Sequence, residues 1–424
     1  MPARSRAWAI ALVLTAASLA FLPLVDWSNP VLRHNDNPSL LEARSLLEGK
    51  IALSERAHDT ALIEDRIVNI FQPGQTLFFL IHLGAIGDSA LKVFQIEMFL
   101  VFFASVALFG LAMFKLSGER AVLSVALPAS LMFGAPYIAS LPLTLVGSVY
   151  RVNHCLSIGF IVGLLALLGH QTWHRKLLLI GVCIGGAVLF RAQNLLLLFL
   201  PLSMLLQNAD GRSWRVSESL STPAARKALA LQAAKLLVFP LLAMIIITGF
   251  QIARFHNPFE SGYASIYAGR DDYLAQRANT YGLFSWHFLP ENLYRTLGAI
   301  PKFELDGGRI VEIIGDPRGN SLLFTQPILL LIPLLWRGLK NARAQSFAAS
   351  ALLLAIPVWL YHNPGFFAPG YMRLSLDYLP LWIALMAVCA RYTPKSKYLI
   401  WPALLLTVWA IGYGILFLRI GVSV

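Results

Sequence analysis

Apolar residues run in long unbroken stretches along this chain, separated by shorter polar segments rich in Lys and Arg. In lipid, a stretch of about 18 or more apolar residues satisfies its backbone N–H and C=O groups only as a helix. The pattern predicts spans at about 7–25, 91–114, 121–145, 153–170, 176–190, 193–208, 230–251, 321–336, 346–361, 372–390 and 398–418, eleven in all. The runs are continuous, which argues against a transmembrane barrel, whose strands alternate over roughly ten residues. Two places leave alternatives open. The first run follows Arg4 and Arg6 and has small residues near Ala20; it reads as a retained anchor, with a cleaved signal peptide as the other reading. The stretch 73–87, PGQTLFFLIHLGAIG, has only about a dozen apolar residues and reads as an outer half-helix opening at Pro73, with a twelfth span as the alternative.

Composition agrees with this pattern. Of 424 residues, 57% are hydrophobic and 13% charged, far from the roughly 45–50% and 25% of a soluble domain. The net charge of +12 does not call for nucleic acid, because the bases sit in short loops between apolar runs. With the N-terminus inside, the inner loops carry sixteen bases, from Arg4 and Arg6 to Lys395 and Lys397, against the acids Glu119, Asp210 and Glu218. The outer loops 26–72 and 253–320 hold sixteen acids against twelve bases, so the positive-inside bias is clear. The expected fold is therefore an all-α polytopic membrane protein of about eleven helices. It forms a single membrane domain over 1–424, with a first outer loop, 26–90, carrying surface helices and a second outer loop at 253–320. Cys155, Cys183 and Cys389 all lie in apolar runs and offer neither a disulfide framework nor a metal motif. No N-x-S/T sequon with a permitted middle residue occurs, which favours a bacterial setting.

The chemistry is expected outside. Asp36, in RHNDNP, lies about ten residues beyond the first span and is a candidate general base; a helix N-cap at Asp36 or Asn37 is the plainer reading. From Asn37 to Leu53 the apolar positions share one helical face, as a helix lying on the membrane surface requires, with Gly49 as a stop. Asp59, Glu64 and Asp65 precede Pro73 and read as catalytic acids, cation ligands or simply a solvated acidic loop. Cations recur at the outer ends of helices: Arg151 and His154, Arg191 in LFRAQNLL, and Arg373 in GYMRLSLDYLP. Charges at membrane depth line cavities, pair or bind ligands, and an Arg fork suits a phosphate; snorkelling to headgroups is the ordinary alternative. The loop 253–320 reads as an outer lid with short helices, and Lys302 and Arg270 in it are further anion-binding candidates.

In this order the segments HNDNPSLLEARSLLEGK, HDTALIEDRIVNIFQPG, GAVLFRAQNLLLLFLPL, RFHNPFESGY and APGYMRLSLDYLPL cover most of the chain from about 30 to 385. Together they resemble the GT-C superfamily of integral-membrane glycosyltransferases, such as protein O-mannosyltransferases and lipid A aminoarabinose transferases. The resemblance implies inverting transfer of a sugar from a polyprenyl-phosphate donor to an acceptor hydroxyl of a glycan, lipid or protein. Transfer would take place on the outer face of a bacterial cytoplasmic membrane. It assigns Asp36 as base, with Asp59 as a second acid. Arg191 and Arg373 would stabilise the departing phosphate, with Arg151, His154 and Lys302 as further candidates. It implies membrane lipids as partners and no nucleic acid. No cofactor is required; a divalent cation is possible, since arginines can supply its charge. Asp36 stands between Asn35 and Asn37, where many members carry paired acids, and the usual proline pair is reduced to Gln72-Pro73. A transporter or flippase of a lipid-linked sugar is the rival from another class, although no repeated half is visible. A membrane scaffold would leave the outer arginines and acids unexplained.

Overall fold

The computed structural model describes residues 3–19, 37–57, 59–138, 149–208, 210–315, 319–363 and 372–420. Asp36, and with it Arg33 and His34, lies outside the described residues. Helices dominate. In chain order they include α1 (Ala3–Leu19), α2 (Pro38–Leu47), α3 (Gly74–Ile86), α4 (Ala90–Leu116), α5 (Ala121–Met132), α6 (Val149–Leu168), α7 (Leu177–Phe190), α8 (Phe199–Leu205) and α9 (Pro223–Phe255). They continue with α10 (Tyr273–Tyr281), α11 (Leu289–Leu297), α12 (Ala342–Leu360), α13 (Leu379–Tyr392) and α14 (Ile400–Ile420). By length and composition, Ile96–Leu116, Pro223–Phe255, Ala342–Leu360 and Lys397–Phe417 can each cross a membrane, and shorter apolar helices pack among them. One large apolar core runs through α1, α4, α5, α6, α7, α12 and α13.

The run predicted as two spans at 176–190 and 193–208 breaks where expected. α7 ends at Phe190, Arg191 is extended (φ −149, ψ 102), and a 3-10 segment, Ala192–Leu198, leads into α8. Asn194 seals the break, donating from Nδ2 to the Ala187 carbonyl (3.1 Å) and to Ser157 Oγ (2.8 Å). The predicted span 321–336 is no continuous helix. It comprises a four-residue turn, Leu322–Thr325, and 3-10 segments at Pro327–Leu331 and Pro333–Lys340, because Pro327 and Pro333 supply no N–H to an α ladder. α7 lies close against α9 through Gly181 and Gly185. A Cβ on Gly181 would come within 2.7 Å of the Leu236 carbonyl oxygen, and one on Gly185 within 2.8 Å of the Phe239 backbone. Small residues four apart let two helices meet backbone to backbone in lipid.

The first outer segment differs from expectation in two ways. α2 starts at the Asn37 N-cap, whose Oδ1 accepts from the Ser39 and Leu40 amides, and stops before Gly49 (φ 74). It is not a surface helix: Leu40, Leu41, Glu42, Ala43 and Ser45 are all buried, and α2 packs along α3. Between α2 and α3 runs an unpredicted hairpin, β1 (Thr60–Ile63) with β2 (Arg66–Asn69). Its two-residue loop is Glu64-Asp65, both at positive φ (49 and 62), so these two acids serve a primed turn. α3 has thirteen residues, a rise of about 20 Å, short of the roughly 30 Å hydrocarbon core. His82 on α3 meets Glu97 of α4 at 2.9 Å.

Glu42 is fully buried because Arg254, at the end of α9, grips it from both sides. Nε meets Oε1 at 2.6 Å and Nη2 meets Oε2 at 2.5 Å. Arg254 Nη1 also donates to the Phe71 carbonyl (2.6 Å), while Asn69 Nδ2 and Thr76 Oγ1 donate to Glu42 Oε2. This bidentate network ties α2, β2, α3 and α9 into one corner. Removing one partner strands a buried charge, at a cost of about 3–5 kcal/mol. Arg254→Met is therefore expected to lower the melting temperature in detergent sharply, and adding Glu42→Gln to recover part of the loss.

Candidate functional site

Two helix breaks carry the cations of the site. Arg191 occupies the extended residue after α7, and its position depends on Gly74 at the start of α3. A Cβ there would lie 2.6 Å from the Leu189 carbonyl oxygen and 2.9 Å from the Phe190 ring. Arg373 opens a 3-10 turn, Arg373–Asp377, that feeds α13. That turn brings in Asp377, buried to 1% exposure, which lies 2.6 Å from Arg191 Nε and accepts from Gln193 Nε2 at 2.5 Å. Asp377 holds the inner edge of the Arg191 guanidinium, and no described side chain takes up its terminal Nη groups. Arg373 lies over the Tyr150 ring, 4.3 Å from the centroid.

Arg191, Arg373 and Asp59 line a single cavity of about 360 Å³, at the lower end of the range for small-molecule sites. Arg270 lines it too, and is held by Asp272 at 2.6 Å. Asp59 has φ 56, an unusual conformation for a residue other than glycine, at the entry to β1. The rest of the wall is largely aromatic and includes Phe71, Tyr150, Tyr263, Tyr267, Phe284 and Tyr361. Burial raises the Tyr263 hydroxyl to about 12; Asp59 pushes it the same way, while Arg191 and Arg373 pull it down. Burial and Asp59 likewise take Tyr267 to about 12. Both phenols thus stay protonated and able to donate. Gly262 (φ 72), just before Tyr263, has no room for a side chain: a Cβ would meet Ile70 at 2.7 Å and Phe255 at 2.8 Å.

Of the residues singled out in the sequence, Arg191, Arg373, Arg270 and Asp59 come together. His154 is buried behind them, 3.9 Å from Asp377, and is not part of the cavity wall. Lys302 is exposed at the start of β3 (Lys302–Asp306) and is also not part of the wall. Arg151 lies in the first turn of α6, and its side chain falls outside the described residues. Among the described residues no three His, Cys, Asp or Glu side chains group as a metal site requires. Sequence reading missed Asp377, although it lies four residues after Arg373 in RLSLDYLP. A carboxylate inside an apolar run implies a cationic partner.

No protein-family model matches this chain, and no curated protein matches it. In fold it is similar to crystal structures of the Archaeoglobus fulgidus oligosaccharyltransferase. The apo form aligns with a TM-score of 0.55 at 11% identity, over 97% of this chain and 55% of that one. The form tethered through a disulfide bond to an acceptor peptide containing the NVT sequon gives 0.50 at 12%, over 97% and 54%. The chain thus spans about half the length of these proteins. The likeness is one of fold.

His362 stands just behind the cavity wall, edge-on to Tyr267 at 4.9 Å. Burial, reinforced by the Arg277 cation, lowers its pKa from 6.5 to about 4, against a backbone hydrogen bond with Leu283 that raises it. The unfolded chain then takes up the proton first. Stability from the neutral ring is complete above about pH 6.5 and falls by about 3 kcal/mol as the pH drops to 4. The melting temperature in detergent should fall over that window, and less steeply for His362→Gln.

Proposed function

We propose that this chain is a GT-C-type glycosyltransferase that moves a sugar from a polyprenyl-phosphate-linked donor to an acceptor hydroxyl, with inversion. The observation that carries this reading is the meeting of Arg191 and Arg373, from helices far apart in sequence, with Asp59 in one cavity. The oligosaccharyltransferase-like fold supports it. The cavity has room for a sugar and a phosphate but not for a polyprenyl chain, so the lipid would extend outward into the bilayer. We further read the chain as a single domain with about eleven crossings, one of them the broken run of turns and 3-10 segments at 322–340, its N-terminus cytoplasmic and its site extracytoplasmic, in a bacterial inner membrane.

The acceptor is a glycan, lipid or protein hydroxyl. In the proposed reaction Asp36 takes the proton of that hydroxyl, whose oxygen attacks the anomeric carbon from the face opposite the phosphate. The bond from that carbon to the phosphate oxygen breaks, and polyprenyl phosphate departs with the electron pair. Negative charge grows on the departing phosphate, and the free Nη edge of Arg191 with the Arg373 guanidinium would neutralise it. Asp377 is a positioning residue that fixes the aim of Arg191. Asp59 is the second acid, placed to hold sugar hydroxyls or to share the base role.

In proteoliposomes supplied with a labelled polyprenyl-phosphate sugar, Asp36→Asn should abolish transfer while the protein still inserts and still binds polyprenyl phosphate. A fully active Asp36→Asn would remove that residue from the mechanism. Movement of the labelled lipid across the bilayer without glycosidic turnover would place the chain among transporters instead.

A further inference from the structure

The second outer segment is built inside out. On α11 the polar side chains face inward: Asn292, Arg295 and Thr296 are buried. Asn292 Nδ2 donates to the Trp359 and Tyr361 carbonyls at the end of α12 (2.7 and 2.8 Å), and Thr296 Oγ1 donates to the Asn292 carbonyl (2.7 Å). Glu291 accepts from Tyr273 Oη of α10 (2.7 Å) and pairs with Arg277. The opposite face, at positions 290, 294 and 297, is apolar, and there Tyr294 is 57% exposed and Leu297 51%. Trp286 just before the helix is 72% exposed, and Ile300 just after it 65%. A helix beside water turns its apolar face in; this one turns it out, so its outer environment is apolar.

We infer that the apolar face of α11, with Trp286 and Ile300, is seated in the outer leaflet of the membrane, so that this segment forms a lipid-contacting rim of the cavity rather than a lid in water. Three observations favour lipid as the occupant. The buried polar face of α11 docks on the last turn of α12, and α12 itself shows Leu352 and Ile356 outward, so the apolar surface continues that of a helix able to cross the membrane. The exposed aromatics Trp286 and Tyr294 are the residue types that settle at the headgroup level. The hairpin of β3 with β4 (Arg309–Ile314) packs through Ile313 and Phe303 near Tyr413 and Leu416 of α14, another such helix, and exposes Leu305 and Val311 among the charges Lys302, Glu304, Asp306 and Arg309, a mixture that suits the headgroup level. Phe284, two residues before Trp286, both lines the cavity and is 60% exposed, so the cavity edge and the rim are continuous. This deepens the proposed function by naming where the site opens to lipid. It rests on the membrane reading but not on sugar transfer.

The test places a nitroxide at Leu297→Cys, and separately at Ile300→Cys, in the full chain carrying Cys183→Ala and reconstituted in lipid nanodiscs. Cys155 and Cys389 are buried. Power saturation compares collisions with oxygen, which partitions into lipid, and with a neutral nickel chelate, which stays in water. The inference expects a positive depth parameter at both positions. A zero or negative parameter would overturn it, as would protection from both agents; dipolar broadening between labels would then assign the face to a second copy of the chain. No outcome depends on turnover, so failure of the inference stays separate from failure of the enzyme reading.

Discussion

A guanidinium can serve at membrane depth only if something holds it there, and in this protein the buried carboxylate of Asp377 does so. Its contact with Arg191 Nε, backed by Gln193, fixes a cation where α7 stops and the chain turns into a 3-10 segment. An isolated guanidinium in such surroundings would withdraw toward water. Pairing along one edge stabilises the cation while leaving the other edge for a ligand. The glycines behind it serve the same end. Gly74 lets α3 abut the end of α7, and Gly181 and Gly185 let α7 abut α9, so the break that carries Arg191 is fixed from two sides.

A second buried pair supports the cavity wall at Phe71. Glu42 and Arg254 join the first outer segment to the end of the longest helix, and the same Arg254 holds the Phe71 carbonyl, next to a ring that lines the cavity. Around one cavity stand an acid and three bases from four segments: Asp59, Arg191, Arg270 and Arg373. Neither clamp residue need touch a substrate for the site to depend on it.

Much of this was legible in the sequence because lipid imposes a simple rule on apolar runs. The break at Arg191 followed from a run too long for one span and about right for two, and the short α3 followed from its dozen apolar residues. Motif order implied that Arg191 and Arg373 meet Asp36; Asp36 lies outside the described residues, and the acid found beside the two arginines is Asp59, the second candidate. What stayed hidden was pairing. Glu42 sits in an amphipathic pattern where an acid reads as the wet face, yet Arg254, more than two hundred residues away, turns it inward. Asp377 stands four residues after Arg373, yet its close contact is with Arg191, which sequence spacing does not reveal. The hairpin at 60–69 was masked by strands of four residues and by a turn made of two acids. His154 and Lys302, grouped with the arginines by charge alone, stand apart because position in the fold, not charge, decides what reaches the cavity.

In the proposed reaction Arg191 and Arg373 act on one anion. Equilibrium binding of polyprenyl phosphate to the wild type, Arg191→Gln, Arg373→Gln and the double variant measures this most directly. Two cations sharing one phosphate should each cost about tenfold or more in affinity, and the double variant should fall short of the product of the single losses. Undiminished affinity in both single variants, in protein that still folds and inserts, would contradict the account.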